Sequence, residues 1–287
     1  MGELESLLVQ VDAAIDEIVR FHQDIVRIPT VNTGQMPTGN ETACCEYIRD
    51  RLGAEGIGAK ILESAPGRGN LIARLKGDGS GPSLLLMSHL DVVPVEDPAR
   101  WRHPPFEAVL AEGRIWGRGS DDAKAVATAG YFATVLLKRS GLKLKGDLIY
   151  TATADEESGG FYGYGWLARN VPDEVRADYA LNEGGGYPVK GRRGLAAATG
   201  RELAPTPSLP ARGEGVRLIP ALTAGFMDSQ WVRPLGVAAY GFAPIHPESE
   251  TFRPGVHGVD ENFPVRDLVV RTKAYLAAAY FTLVEGL

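Results

Sequence analysis

Ser83-Leu-Leu-Leu-Met-Ser-His-Leu-Asp91 opens as a nearly unbroken apolar run and ends on an imidazole and a carboxylate. So short an apolar run reads as a strand buried on both faces, which belongs in a parallel or mixed sheet covered by helices. Leu148-Ile-Tyr-Thr-Ala-Thr-Ala154 repeats the pattern, and Tyr179-Ala-Leu181 is a third inner strand. Leu71-Ile-Ala-Arg-Leu75 reads as another strand, and Ala108–Gly113 with Arg114-Ile-Trp116 as a short hairpin. Helical apolar spacing runs through 3–26 (Leu4, Leu7, Leu8, Val11, Ile15, Ile18, Val19) until Pro29. Further helices are expected at 41–56, 121–138, near 160–170 and at 264–285. Alternating strands and helices predict an α/β fold, a mixed, mostly parallel sheet flanked by helices on both faces.

In such folds ligands sit beyond the carboxyl ends of the strands, where His89, Glu156, Glu157 and Glu183 fall. Asp122 in Gly117-Arg-Gly-Ser-Asp-Asp-Ala-Lys124 and His257 in Val256-His-Gly-Val-Asp-Glu261 stand in Gly-bearing turns. Two imidazoles with several carboxylates suit a borderline divalent ion such as zinc, and a spare carboxylate could serve as a base. Asp91, two residues after His89, can hydrogen-bond the far ring nitrogen and fix its tautomer. A lone His-Asp pair is more often a buried, satisfied pair; the other stations tip the balance towards metal. For Asp121 and Asp122 the alternative is a helix N-cap, and for Glu156-Glu157 a solvated acidic turn.

The chain has 287 residues, 44% of them hydrophobic, and a net charge of −6. It lacks a Lys/Arg-rich block, which argues against nucleic acid as a partner. No apolar run approaches the ~20 residues of a membrane span, and Met1-Gly-Glu-Leu-Glu-Ser6 carries no secretory leader. The only cysteines, Cys44 and Cys45, are adjacent and imply a reduced compartment; the expectation is cytoplasm. They are read as packing residues of a helix.

The order of motifs resembles the M20 metallopeptidases, the aminoacylase, acetylornithine deacetylase and glutamate carboxypeptidase group. Ser88-His-Leu-Asp-Val-Val-Pro94, Trp101-Arg-His-Pro-Pro-Phe106, Gly117–Lys124, Asp155-Glu-Glu157 and Asn182-Glu-Gly-Gly185 carry the likeness. Ile28-Pro-Thr-Val-Asn32, Phe226-Met-Asp228, Gly241-Phe-Ala-Pro244 and His257–Glu261 extend it. The resemblance implies a zinc-peptidase-like catalytic domain with two divalent ions, zinc with cobalt or manganese as alternatives. His89, Asp122 and Glu183 would hold one ion, and Asp122, Glu157 and His257 the other. A hydroxide bridging the ions would attack an amide, with Glu156 moving the protons and Asp91 behind His89. The implied substrate is a small peptide or an N-acyl amino acid.

Three departures stand out. Ala125 replaces a family glycine, and Met227 replaces a threonine beside Asp228. Where the family inserts a lid domain carrying a substrate-binding His, this chain has only the Pro-rich stretch 197–215. Residues 1–287 are thus expected to form a single catalytic domain with 197–215 as a linker, and a monomer, since the lid supplies the dimer contacts. An open cleft and slow turnover are expected with it. The alternative is a catalytically impaired, lid-less remnant acting as a metal-binding or interaction protein. His103 is read as a surface or packing residue, while the roles of His246 and Asp228 stay open. Arg118 and Lys124 could meet a substrate carboxylate, or be idle surface charges.

Overall fold

The computed structural model describes residues 2–185, 187–191, 194–200, 216–221, 226–249 and 255–286. The chain opens with α1 (Glu3–Ala13), α2 (Ile15–Val26) and α3 (Glu41–Ala54), then β1 (Ala59–Glu63), β2 (Gly69–Leu75) and β3 (Leu84–Leu86). The hairpin β4 (Val109–Ala111) and β5 (Arg114–Trp116) precedes α4 (Lys124–Ser140) and β6 (Leu148–Ala152). Then follow α5 (Tyr164–Asn170), α6 (Pro172–Val175), β7 (Tyr179–Asn182), β8 (Tyr187–Gly191), β9 (Gly194–Gly200) and β10 (Val216–Ala221). The last elements are α7 (Ser229–Val232), β11 (Ala238–Gly241), β12 (Asn262–Pro264) and α8 (Val265–Tyr280).

One mixed sheet has the order β1-β2-β6-β3-β7-β11-β9-β10, with β8 alongside β9. Its centre, β6-β3-β7-β11, is parallel; β2 joins that centre antiparallel, and β1 pairs antiparallel with β2. Side chains alternate across the strands, so neighbouring residues enter different cores. Leu84, Leu86, Leu148 and Tyr150 pack with Phe21, Ile48, Phe132 and Leu276 of α2, α3, α4 and α8. Leu85, Met87 and Ile149 face the other way, onto Tyr164, Leu167, Val175 and Val232 of α5, α6 and α7. The expected α/β class, with helices on both faces, is the observed one. Among the described residues no helix is long and apolar enough to cross a membrane.

Two boundaries differ from the sequence reading. The helix expected over 3–26 breaks at Ala14, whose own residue type does not require it; α1 lies mainly against α8 and α2 against α4, which one straight helix could not do. The helix expected from Asp121 begins at Lys124, because 117–123 form a loop with its own partner. Of the expected linker, 197–200 continue β9 and 201–215 lie outside the described residues.

Under the first core His22 is wholly buried, its Nδ1 2.9 Å from Thr128 Oγ1, which itself donates to the Lys124 carbonyl. The ring therefore donates to Thr128 and sits neutral, its pKa pushed down to about 3 by burial first and then by Lys124 and Arg271. In the unfolded chain a histidine titrates near ~6.5, so between those values only the unfolded state takes up the proton. Folded stability should therefore fall with acidification through that window. From pH 7 to pH 5 this one group should remove about 2 kcal/mol, and a His22→Gln variant should lose that much less over the same range in urea titrations. Parallel pH profiles for the two proteins would refute the assignment.

Candidate metal centre

His89 lies just past β3, still tied to the continuation of β6 through a bridge to Thr153. Its Nδ1 is 3.0 Å from the Asp91 backbone carbonyl and 3.3 Å from Asp91 Oδ1, so that nitrogen's proton points inward. Nε2 then faces Asp122 Oδ1 at 3.1 Å, Glu183 Oε2 at 3.2 Å and Glu156 Oε2 at 3.8 Å. The tautomer lock expected of the Asp91 side chain is made best by its main chain.

The Asp91 carboxylate has a second task. Its Oδ1 accepts the Glu156 N–H at 3.0 Å, and Oδ2 accepts the Glu157 N–H at 3.1 Å and Asn32 Nδ2 at 2.8 Å. It thereby fixes the short 3-10 turn Glu156–Ser158. Gly160 closes that turn at φ 71°, and a Cβ there would lie 2.4 Å from Asp228 Oδ1, so only glycine fits.

Asp122 is held by a residue the sequence reading quoted without giving it a role. Glu261 Oε1 accepts the N–H groups of Asp121 and Asp122 at 3.0 and 3.2 Å. Its Oε2 accepts the Gly119 N–H at 3.0 Å and Arg118 Nη1 at 2.6 Å. Glu261 shares a loop with His257, so one buried carboxylate clamps two site loops together. The clue available in sequence was an acid four residues beyond a candidate ligand His. Arg118 is consequently buried and engaged, not a surface charge, and Lys124 is buried with its ammonium on the Ile28 carbonyl. Neither is free for a substrate.

His257 brings Nε2 to 3.2 Å from Asp122 Oδ2 and 3.0 Å from Glu157 Oε2. Asp122 thus turns one oxygen to each imidazole, and two triads result: His89, Asp122, Glu183 and Asp122, Glu157, His257. Within each triad the candidate donor atoms all lie within 4.8 Å of one another. Glu157 Oε1 is buried with no hydrogen-bond partner, an acceptor left free beside the second triad. A mixed N/O set of this kind fits a pair of borderline divalent ions.

The charges are poised accordingly. Burial opposes ionisation of Asp122, but the imidazoles of His257 and His89 outweigh it and hold its carboxyl far below the usual range. Burial would also depress His89, yet Glu183, Asp122 and Asp91 raise it well above an ordinary histidine. His257 rises to about 10 through its contacts with Asp122 and Glu157. Glu157 and Glu183 are raised chiefly by burial. Glu156 is pushed up to about 11, by burial and then by the charge of Glu183. So dense an acidic pocket takes up protons unless a cation offsets its charge.

The remaining candidates lie elsewhere or stay secondary. His103 packs beside Trp116, ring centroids 5.4 Å apart. His246 accepts the Glu248 N–H on Nδ1 and gives its own N–H to Asp267. Asp228 is buried next to Gly160, with Oδ1 unpartnered and its carboxyl raised mainly by burial.

A family model described as "Peptidase family M20/M25/M40" matches residues 85–280. An N-formyl-4-amino-5-aminomethyl-2-methylpyrimidine deformylase from Halalkalibacterium halodurans is 35% identical over 161 residues, 55% of this chain and 37% of the relative. A probable succinyl-diaminopimelate desuccinylase from Staphylococcus epidermidis is 36% identical over 141 residues, 49% of this chain and 33% of the relative. The match therefore spans about a third of the length of these relatives. Among solved structures, LapB from Legionella pneumophila shares the fold at TM-score 0.65 and 13% identity, covering 100% of this chain and 75% of that one.

Proposed function

Since the chain belongs to peptidase family M20/M25/M40, we propose that it is a metal-dependent hydrolase of a small amide, either a short peptide or an N-acyl amino acid. The observation that carries this reading is Asp122 presenting one oxygen to each of two imidazole-carboxylate groups, with Glu156 beside them and outside both triads. His89, Asp122 and Glu183 would hold one divalent ion, zinc or else cobalt or manganese, and Asp122, Glu157 and His257 a second. Bound there, such ions would acidify a water and offset charge on the scissile carbonyl oxygen.

The remaining work falls to the chain itself. Glu156 is nearly buried and stands beside His89 outside both triads, a position that suits a group that takes a proton from the attacking water and returns it to the leaving nitrogen. Asp91 keeps both the His89 ring and the Glu156-Glu157 turn in register. The names of the two relatives favour short acyl groups such as formyl and succinyl on the amine. Residues 1–287 are read as one catalytic unit, with the 197–215 stretch where a lid would be inserted, and as a monomer.

The deciding experiment is metal analysis of purified protein joined to hydrolysis of N-formyl, N-acetyl and N-succinyl amino acids and dipeptides. Two ions per chain are expected, with turnover abolished by a chelator and restored by zinc, cobalt or manganese. Absence of any tightly held divalent ion would end this reading. A second reading, the impaired remnant, draws support from the half-exposed side chain of His257, 52% accessible. It predicts two ions and no turnover.

A further inference from the structure

Behind the Glu156-Glu157 turn lies a buried charge group that the hydrolytic reading leaves unused. Arg68 is fully buried between two acids. Its Nη2 donates to Asp155 Oδ1 at 2.9 Å, and its Nε lies 3.0 Å from Glu41 Oε2, an ion pair too poorly aligned to count as a hydrogen bond. The guanidinium also sits over the Tyr162 ring, 5.4 Å from its centroid. Asp155 is the pivot of the turn. It adopts φ 75°, costly for a residue with a side chain, and its carbonyl accepts the N–H groups of Ser158 and Gly160 at 3.1 and 2.6 Å. Its carboxylate further accepts the Tyr162 N–H at 3.0 Å and Asn32 Nδ2 at 3.2 Å.

A buried ion group is a poor source of stability, because desolvation offsets most of the attraction and an apolar replacement of equal volume often does as well. What this one does supply is a fixed direction. The planar fork of Arg68 can meet Asp155 in few orientations, and Asp155 is the residue immediately before Glu156. We propose that Arg68 is a positioning residue: acting through Asp155 it holds the 155–160 turn so that Glu157 reaches the second triad and Glu156 stands beside His89. Asp91 grips the same turn from the site side, so the turn is clamped between two buried groups. The inference rests on the reading of Glu157 as a metal ligand for its effect on ions, but not for its effect on the turn.

The test uses the full chain with Arg68→Lys, Arg68→Met and the neutralised triple Arg68→Met/Asp155→Asn/Glu41→Gln, the last in case the single change does not fold. Amide hydrogen exchange in metal-free protein should accelerate selectively across 155–162, most in Arg68→Met and least in Arg68→Lys. Cobalt titrated into the same proteins should occupy the first site normally. The second should weaken by about 10–100-fold, with kcat falling and KM little changed. A Leu85→Ala core variant of similar Tm loss should show neither effect. Unchanged exchange at 155–162 in the folded Arg68 variants would overturn the inference. A wild-type protein that takes up no cobalt would instead overturn the hydrolase reading, while the exchange data still decided the turn.

Discussion

Glu156→Gln should reduce turnover by at least ~100-fold while the protein keeps its full content of divalent ions. Glutamine preserves the shape and the burial of the side chain, and removes only the group able to take up and return a proton. The side chain lies 3.8 Å from His89 Nε2 but belongs to neither triad, so an ion should not sense the change. Glu157→Gln is the matched control one residue away. There Oε2 approaches His257 within 3.0 Å and Oε1 is buried without a partner, so the same chemical change should weaken ion binding as well as turnover. Steady-state kinetics with metal analysis on both variants separates the two roles. Wild-type turnover in Glu156→Gln would show that another group moves the proton.

Glu261→Ala should be the most destabilising single change at the site, by about 3–5 kcal/mol, because it strands a buried charge. Arg118 is only 2% exposed, and its Nη1 would face a void in place of an oxygen 2.6 Å away. The N–H groups of Gly119, Asp121 and Asp122 would lose their acceptor in the same step. With the clamp gone, the loop bearing Asp122 and the loop bearing His257 are no longer joined, and affinity for both ions should drop. Glu261→Gln keeps an acceptor but not the charge, and should fall between. Urea denaturation in chelator measures the first effect without interference from metal. A loss under ~1 kcal/mol would mean that water replaces the carboxylate readily.

The centre of the sheet and the ligand stations were readable because each is written locally. Leu84–Leu86 and Leu148–Ala152 are too apolar and too short to be anything but inner strands, and the imidazole or carboxylates follow within a few residues. Edge strand β1 was missed: Ala59–Glu63 lies half in solvent and carries no clear alternation. Strands β11 and β12 are short and hidden among Gly and Pro, and neither has a local signal. The start of α4 was misplaced because Asp121 looks like a cap in sequence, whereas its N–H and that of Asp122 are spent on Glu261, far along the chain. Arg68 and Glu41 escaped notice for the same reason. A buried charge resembles a surface charge until its partner, brought from elsewhere by the fold, is known. The ligand candidates themselves came together as expected, in one cluster, while their roles await the experiments above.

Each triad draws its members from separate parts of the fold. His89 follows β3, Asp122 precedes α4, Glu157 follows β6, Glu183 follows β7 and His257 precedes β12. A chain with β7 undocked would lose Glu183 from the first triad, and one with its last third unfolded would lose His257 from the second. Full occupancy by two ions would therefore report on finished tertiary structure, available only once the sheet has closed around its centre. An ion held by both halves of the cluster would be a selective ligand of the native state, shifting the folding equilibrium by mass action and giving half-made chains less of that support.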